Sequence, residues 1–137
     1  MSHAIFRVAR LHKSLAGRLL RETGLHPGQE LILMALWGDG PQRQVDLVEK
    51  VDTDAPSMAR SITRLEKAGL VRRTPSPTDG RAVIVEATGA SLALRDKVAD
   101  AWAELERLTT AALTGPQQAE ILTNLGQLED ALAPRAR

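Results

Sequence analysis

Apolar residues recur every three or four positions at the beginning of the chain, with basic residues between them. This period is typical of an amphipathic helix with one apolar face. We predict that helix over residues 4–23, ending at Gly24, because glycine readily closes a helix in a left-handed conformation. Its apolar positions are Ile5, Val8, Leu11, Leu15 and Leu19.

The next part of the chain predicts three more helices. Pro27 suits the first turn of the second helix, and residues 31–37 are apolar on every side, so we expect this helix to be buried. The sequence Gly-Asp-Gly-Pro at 38–41 then breaks the pattern. The third helix is predicted over 44–51 and the fourth over 55–68, with the capping segment 52–54 between them and Gly69 after them.

A β-hairpin is predicted after the fourth helix. Residues 70–74 and 81–87 contain the β-branched residues typical of strands, and residues 75–80 contain the prolines and glycine of a turn. A fifth helix is predicted over 89–113. Thr114 and Gln117 form a capping box for a sixth helix, and residues 134–137 are expected to fray. The fold class is therefore mostly α, with six helices and a small hairpin.

The composition fits one globular domain over residues 1–137, because 43% of the residues are apolar. The absence of cysteine excludes disulfides, thiolate nucleophiles and cysteine-based metal sites. No apolar run approaches the ~20 residues of a membrane span, and charges interrupt the first residues, unlike a signal peptide. We expect a cytoplasmic protein without membrane contact, metal or other cofactor.

The net charge of +1 is distributed unevenly along the chain. Residues 1–24 carry five basic side chains and one acidic one, and residues 53–86 carry six basic and four acidic ones. The second basic segment covers the fourth helix and the hairpin. A nearly neutral total therefore does not exclude binding to nucleic acid, because the position of the charge decides it.

Two short helices joined by a tight turn and followed by a hairpin have the order of a winged helix-turn-helix. In the DNA-binding form, the second helix enters the major groove. At about 100° per residue the fourth helix divides into an apolar and a polar face. The apolar face carries Ala55, Met58, Ile62, Leu65 and Gly69, and the polar face carries Pro56, Ser57, Arg60, Arg64 and Lys67, with Ser61 at the flank. Arginine suits guanine edges and phosphates, although an ordinary solvated face would have the same pattern.

The hairpin adds to the DNA-binding interpretation. Arg72 and Arg73 lie on its first strand, and Asp79 and Arg81 lie at its tip. An arginine at a projecting tip can enter the narrow minor groove, where the potential is most negative, and the carboxylate two residues away can orient it. A turn with a local salt bridge is the alternative.

The chain resembles the MarR family of bacterial regulators. The run SITRLEKAGLVRR (61–73) is similar to the end of that family's recognition helix and the start of its wing. SPTDGRAVIVEAT (76–88) is similar to the wing, and LHPGQELILMALWGDGPQRQVDLVEKV (25–51) to the helices before it. LTGPQQAEILTNLGQLEDAL (113–132) is similar to the C-terminal dimerisation helix.

The resemblance implies a role for each matching residue. It implies that residues 27–88 form the DNA-binding lobe and that residues 1–24 and 89–137 form dimerisation helices. Arg81 would reach the minor groove, held by Asp79, and Arg72 and Arg73 would contact phosphate or support the wing. The major-groove residues would be Ser57, Arg60, Ser61 and Arg64.

The resemblance also implies a homodimer and a small aromatic or anionic effector. A stripe of leucines at 122, 125, 128 and 132 suits a dimer interface, although it would equally suit the core of one chain. A dimer would read a pseudopalindromic operator with half-sites about one helical turn apart. The candidate effector contacts are His12, Arg18, His26 and Trp37.

Three classes of function follow from these observations. The first is a sequence-specific regulator of transcription, most simply a repressor, that binds double-stranded DNA. The second is an enzyme, against which the chain has no glycine-rich phosphate loop and no nucleophile with a nearby base. The third is a helical interaction module that has lost DNA binding, but such a module would have little use for Arg60, Arg64 and Arg81.

Overall fold

A computed structural model describes residues 1–136, which form six α-helices and one three-stranded antiparallel sheet. This confirms the predicted fold class. The helices are α1 (Ser2–Leu19), α2 (Gln29–Asp39), α3 (Gln44–Lys50), α4 (Ala55–Lys67), α5 (Arg95–Thr110) and α6 (Gly115–Ala136). The strands are β1 (Gln42–Arg43), β2 (Val71–Pro75) and β3 (Val83–Ala87), and two 3-10 helices span Arg21–Thr23 and Gly89–Leu94.

The boundaries of the first two helices differ from the prediction for local reasons. The first helix ends at Leu19 and is followed by the 3-10 turn, which Gly24 closes with a φ of 73°. Pro27 does not lie in the first turn of α2, which was the expectation. The helix begins at Gln29, because Gly28 before it has a φ of 103°, a conformation that glycine adopts without a steric penalty.

The helices at the C-terminal end also differ in part. The predicted fifth helix is divided into a 3-10 helix and α5. The predicted cap of α6 is confirmed, since the Gln117 N–H donates to Thr114 Oγ1 at 3.3 Å and the Thr114 N–H donates to Gln117 Oε1 at 2.9 Å. Residues 134–136, where fraying is expected from the sequence, continue α6, and Arg137 lies outside the described residues.

The sheet contains a strand that the sequence did not predict. Its order is β1-β3-β2, with Arg43 opposite Ile84 and Arg72 opposite Glu86. Strand β1 has only two residues, too few for an alternating pattern to be recognised. Its pairing ties the segment before α3 to the hairpin, which we call the wing (residues 71–87).

The core lies between α2, α3, α4 and the inner face of the sheet, and Val98 of α5 closes it. On α2, Leu33 is fully buried, but Met34 is 37% exposed, so the expectation that this helix is buried on every side was wrong. Helix α6 contributes no buried residue. No helix in residues 1–136 is long and apolar enough to cross a membrane. The largest side chains of the core are Leu20, Leu33, Leu47, Met58, Ile62, Leu65 and Val85.

Candidate nucleic-acid interface

The start of α4 is determined by a side-chain cap. The Asp54 carboxylate accepts the Ser57 backbone N–H at 2.8 Å and the Ser57 hydroxyl at 3.1 Å. The backbone hydrogen bond from Ser57, followed by the hydroxyl, lowers the pKa of Asp54. This bond satisfies one of the unpaired N–H groups at the first turn. The position of Ser57 at the beginning of the polar face is therefore set by Asp54.

The two faces of α4 lie in different environments. Met58, Ile62 and Leu65 are buried in the core, with at most 1% of their surface exposed. Arg60 and Arg64 are exposed on the other face, and Ser57 and Ser61 are half-buried. Arg60 Nη2 donates to Ser57 Oγ at 3.2 Å. Within residues 1–136 the Arg64 side chain has no hydrogen-bond or ion-pair partner, so its guanidinium is available to an external acceptor.

The arginines at the base of the wing are both paired with carboxylates. Arg72 Nε donates to Glu86 Oε1 at 2.8 Å across the strands. The Arg73 backbone N–H donates to Glu66 Oε2 at 3.2 Å, and its Nη2 donates to Glu66 Oε1 at 2.9 Å. The side-chain hydrogen bond from Arg73 lowers the pKa of Glu66. Arg73 therefore joins the wing to the last turn of α4 through Glu66.

Sequence reasoning did not assign a role to either carboxylate. Glu86 could have been found, because it lies opposite Arg72 once the hairpin register is known. Glu66 had no comparable signal, since its contact with Arg73 depends on the angle between α4 and β2. The two acids bind two of the arginines that the charge pattern had suggested for DNA.

The tip of the wing projects into solvent. Arg81 is exposed. The sequence predicted it as the first residue of the second wing strand, but β3 begins two residues later, at Val83. Asp79 Oδ1 accepts the Arg81 backbone N–H at 3.1 Å. No ion pair joins the two side chains in the described part of the protein. The carboxylate thus holds the backbone of the turn and leaves the Arg81 guanidinium without a protein partner.

The four candidate effector residues do not come together. His26 lines a cavity of about 530 Å³ between the segment after the first 3-10 helix, the end of α4 and the second 3-10 helix, and Arg64 also lines it. Trp37 lines a separate space of about 240 Å³ with Arg95, and its Nε1 donates to Ser91 Oγ at 3.0 Å. His12 and Arg18 are exposed on α1 and line neither space.

Helices α3 and α4 with the wing behind them define a winged helix-turn-helix, a class that includes DNA-binding regulators of transcription. The model of the MarR family matches residues 25–83. The chain is thus similar to this family over its helix-turn-helix and most of its wing.

Other proteins are similar to the chain over most of its length. The HTH-type transcriptional repressor NicR of Pseudomonas putida is 26% identical over 130 residues, which are 95% of this chain and 82% of that protein. Two solved structures, each 23% identical, share the fold. BpsR of Bordetella bronchiseptica, whose DNA binding is regulated by 6-hydroxynicotinic acid, has a TM-score of 0.85 over 93% of this chain and 97% of its own. A mutant MarR from E. coli complexed with operator DNA has a TM-score of 0.87 over 93% and 91%.

Proposed function

We propose that this chain is a repressor that binds a pseudopalindromic operator as a homodimer and is released by a small aromatic or anionic effector. The observation that carries the proposal is the placement of Arg64 and Arg81. Both guanidinium groups are exposed and lack a partner within residues 1–136, one on the helix that would enter the major groove and one at the tip of the wing. The repressor role is supported by the relative NicR.

The reading surface comprises the polar face of α4 and the tip of the wing. The DNA-binding lobe comprises residues 27–88. Arg64 suits a bidentate contact to guanine, and Arg81 enters the minor groove while Asp79 holds its backbone. Arg72 and Arg73 act through the carboxylates that they pair with. The remaining major-groove residues are Ser57, Arg60 and Ser61.

The dimer is supported by apolar side chains that the single chain leaves uncovered. Val8 of α1 is 64% exposed and Leu122 of α6 is 70% exposed. An apolar surface of this extent is typical of an interface. Helices in the ranges 1–24 and 89–137 would cover one another across a two-fold axis. The other uncovered apolar residues on these two helices include Ile5, Phe6, Leu11, Ile121, Leu125 and Leu132.

The cavity that contains Arg64 and His26 suits the effector. Its volume of about 530 Å³ is in the range of small-molecule sites, and its apolar walls include Leu65, Leu70 and Leu94. An aromatic carboxylate could pair with Arg64 and compete with its DNA contact. BpsR, which shares the fold, responds to such a compound. Release requires that the effector bind the free protein more tightly than the DNA-bound protein.

The test is binding of the purified protein to its upstream intergenic DNA during a salt titration. The logarithm of the binding constant is expected to fall steeply with the logarithm of salt concentration, by about 0.9 for each phosphate neutralised. Arg64→Ala should reduce the preference for this DNA over random DNA. The matched control is Lys50→Ala, which removes a surface cation that is paired with Asp39 on the same lobe. Wild-type binding no better than random DNA would contradict the regulator and favour an interaction module.

The effector requires a separate measurement. With 6-hydroxynicotinic acid as the probe, we expect weaker operator binding by the wild-type protein and a smaller change in His26→Ala. Equal affinity of the probe for free and DNA-bound protein would contradict release. We expect no enzymatic turnover.

A further inference from the structure

A cleft of about 180 Å³ separates the wing from α3 and from the beginning of α4. Val45 and Val83 form apolar walls and are 64% and 38% exposed. Ala55, the first residue of α4, also lines the cleft. The charged residues lining it are both cations, Arg43 and Arg81. The cleft therefore combines apolar walls with two positively charged side chains.

Arg43 is positioned from two directions. It pairs with Ile84 as the last residue of β1 and directly precedes α3. Its Nε and Nη2 donate to the two oxygens of the Asp46 carboxylate, each at 3.0 Å. The hydrogen bonds that Arg43 donates to Asp46 and the charge of Asp46 raise the pKa of Arg43, and the charge of Asp79 on the wing adds to this to a smaller extent.

The pair with Asp46 leaves part of the guanidinium unused. A guanidinium has five N–H groups, and Asp46 is its only acceptor within residues 1–136. The side chain of Arg43 is 53% exposed. Because a carboxylate fixes its orientation, the remaining N–H groups are held ready for a second anion.

We propose that this cleft holds one backbone strand of the bound DNA and that Arg43 donates to a phosphate of that strand. The proposal rests on the proposed DNA-binding function. A recognition helix in the major groove and a wing in the adjacent minor groove have one sugar–phosphate strand between them. The cleft lies between those same two elements. Arg43 binds the strand from the α3 side, Arg81 passes it to enter the minor groove, and Val45 and Val83 pack against deoxyribose.

The first test compares salt dependence in the full-length protein. Arg43→Ala should reduce the slope of the logarithm of affinity against the logarithm of salt by about 0.9 per protomer, or ~1.8 per dimer. The affinity ratio between wild type and variant then changes about tenfold between 50 and 200 mM salt. Because a phosphate carries no sequence information, the preference for operator over random DNA should stay the same. Arg43→Lys should retain the slope, since it keeps the charge. Lys50→Ala removes a cation at the other end of α3 that is already paired with Asp39, so it should leave the slope unchanged.

The second test locates the phosphate. Single methylphosphonate linkages, which remove one phosphate charge, are placed along each operator strand. The wild-type affinity for the operator should fall when the modified linkage lies between the major-groove and minor-groove contacts. The affinity of Arg43→Ala should not change with that linkage.

The outcomes separate this proposal from the function on which it rests. Failure of the wild type to prefer the operator contradicts the proposed function. Two results would overturn only the proposal that the cleft holds a DNA strand, provided that operator binding still depends on Arg64. One is an equal salt slope in Arg43→Ala and wild type, and the other is an equal sensitivity of the two proteins to every linkage. If Arg43→Ala keeps the mass and thermal unfolding of the wild type and Arg43→Lys keeps the slope, the lost slope in Arg43→Ala comes from the missing charge.

Discussion

Replacement of Ser91 by alanine should destabilise the protein, because it removes the two hydrogen bonds of the Ser91 hydroxyl. The Ser91 side chain is fully buried. Its Oγ accepts Trp37 Nε1–H at 3.0 Å and donates to the Thr88 carbonyl at 2.7 Å. These bonds join α2 to the 3-10 helix that leads into α5. The substitution removes one oxygen and no carbon, so it creates little cavity.

The magnitude follows from the partners that Ser91→Ala leaves behind. The Thr88 carbonyl keeps the Ser91 backbone N–H at 3.1 Å, whereas the Trp37 N–H loses its acceptor. An unsatisfied buried donor costs about 1–3 kcal/mol, and a lost hydrogen bond costs about 0.5–1.5 kcal/mol. Trp37 is only half-buried, so water relieves part of the first cost. We therefore expect a loss of ~2 kcal/mol in the free energy of unfolding, and a melting temperature lower by about 5–10 °C.

The assay is urea unfolding at one protein concentration, because the stability of a dimer depends on concentration. Ser14→Ala is the matched control, since Ser14 is exposed and its hydroxyl has no hydrogen-bond partner within residues 1–136. In a Trp37→Phe background, Ser91→Ala should cost much less, because the donor is already absent. A loss within about 0.5 kcal/mol of the control, which is the usual range of surface substitutions, would refute the argument.

Two further predictions concern carboxylates. Glu30 is 3% exposed and accepts the Gly28 N–H at 2.8 Å, and burial raises its pKa above the ordinary 4.5. Ionisation of Glu30 therefore lowers the free energy of unfolding as the pH rises from 4.5 through the raised pKa. The urea midpoint should fall over this pH window more in wild type than in Glu30→Gln. Parallel plots of urea midpoint against pH for the two proteins would contradict this. Glu66→Ala should speed amide hydrogen exchange at Arg73, whose N–H loses its acceptor. Glu86→Ala is the control, and equal Arg73 protection in both variants would exclude a bracing role for Glu66.

The candidate DNA-binding surface was predictable where it depends on one element. Helical geometry alone assigns Met58, Ile62 and Leu65 to one face of α4 and Arg64 to the other, whatever the helix packs against. The sequence could not show that Arg73 is paired with Glu66, because that contact depends on how β2 leaves the helix. It also did not single out Arg43, whose position beside the wing depends on β1 pairing with β3.

The sequence by itself determined the six helices, the hairpin, the caps at Asp54 and Thr114 and the polar face of α4. These features depend on periodicity and on hydrogen bonds between residues a few positions apart, which a linear pattern contains. Only the tertiary structure decided the third strand, the 3-10 turn around Ser91 and the carboxylate partners of the wing arginines. Ser91 and Trp37 are 54 positions apart, and such contacts form only when packing brings distant segments together.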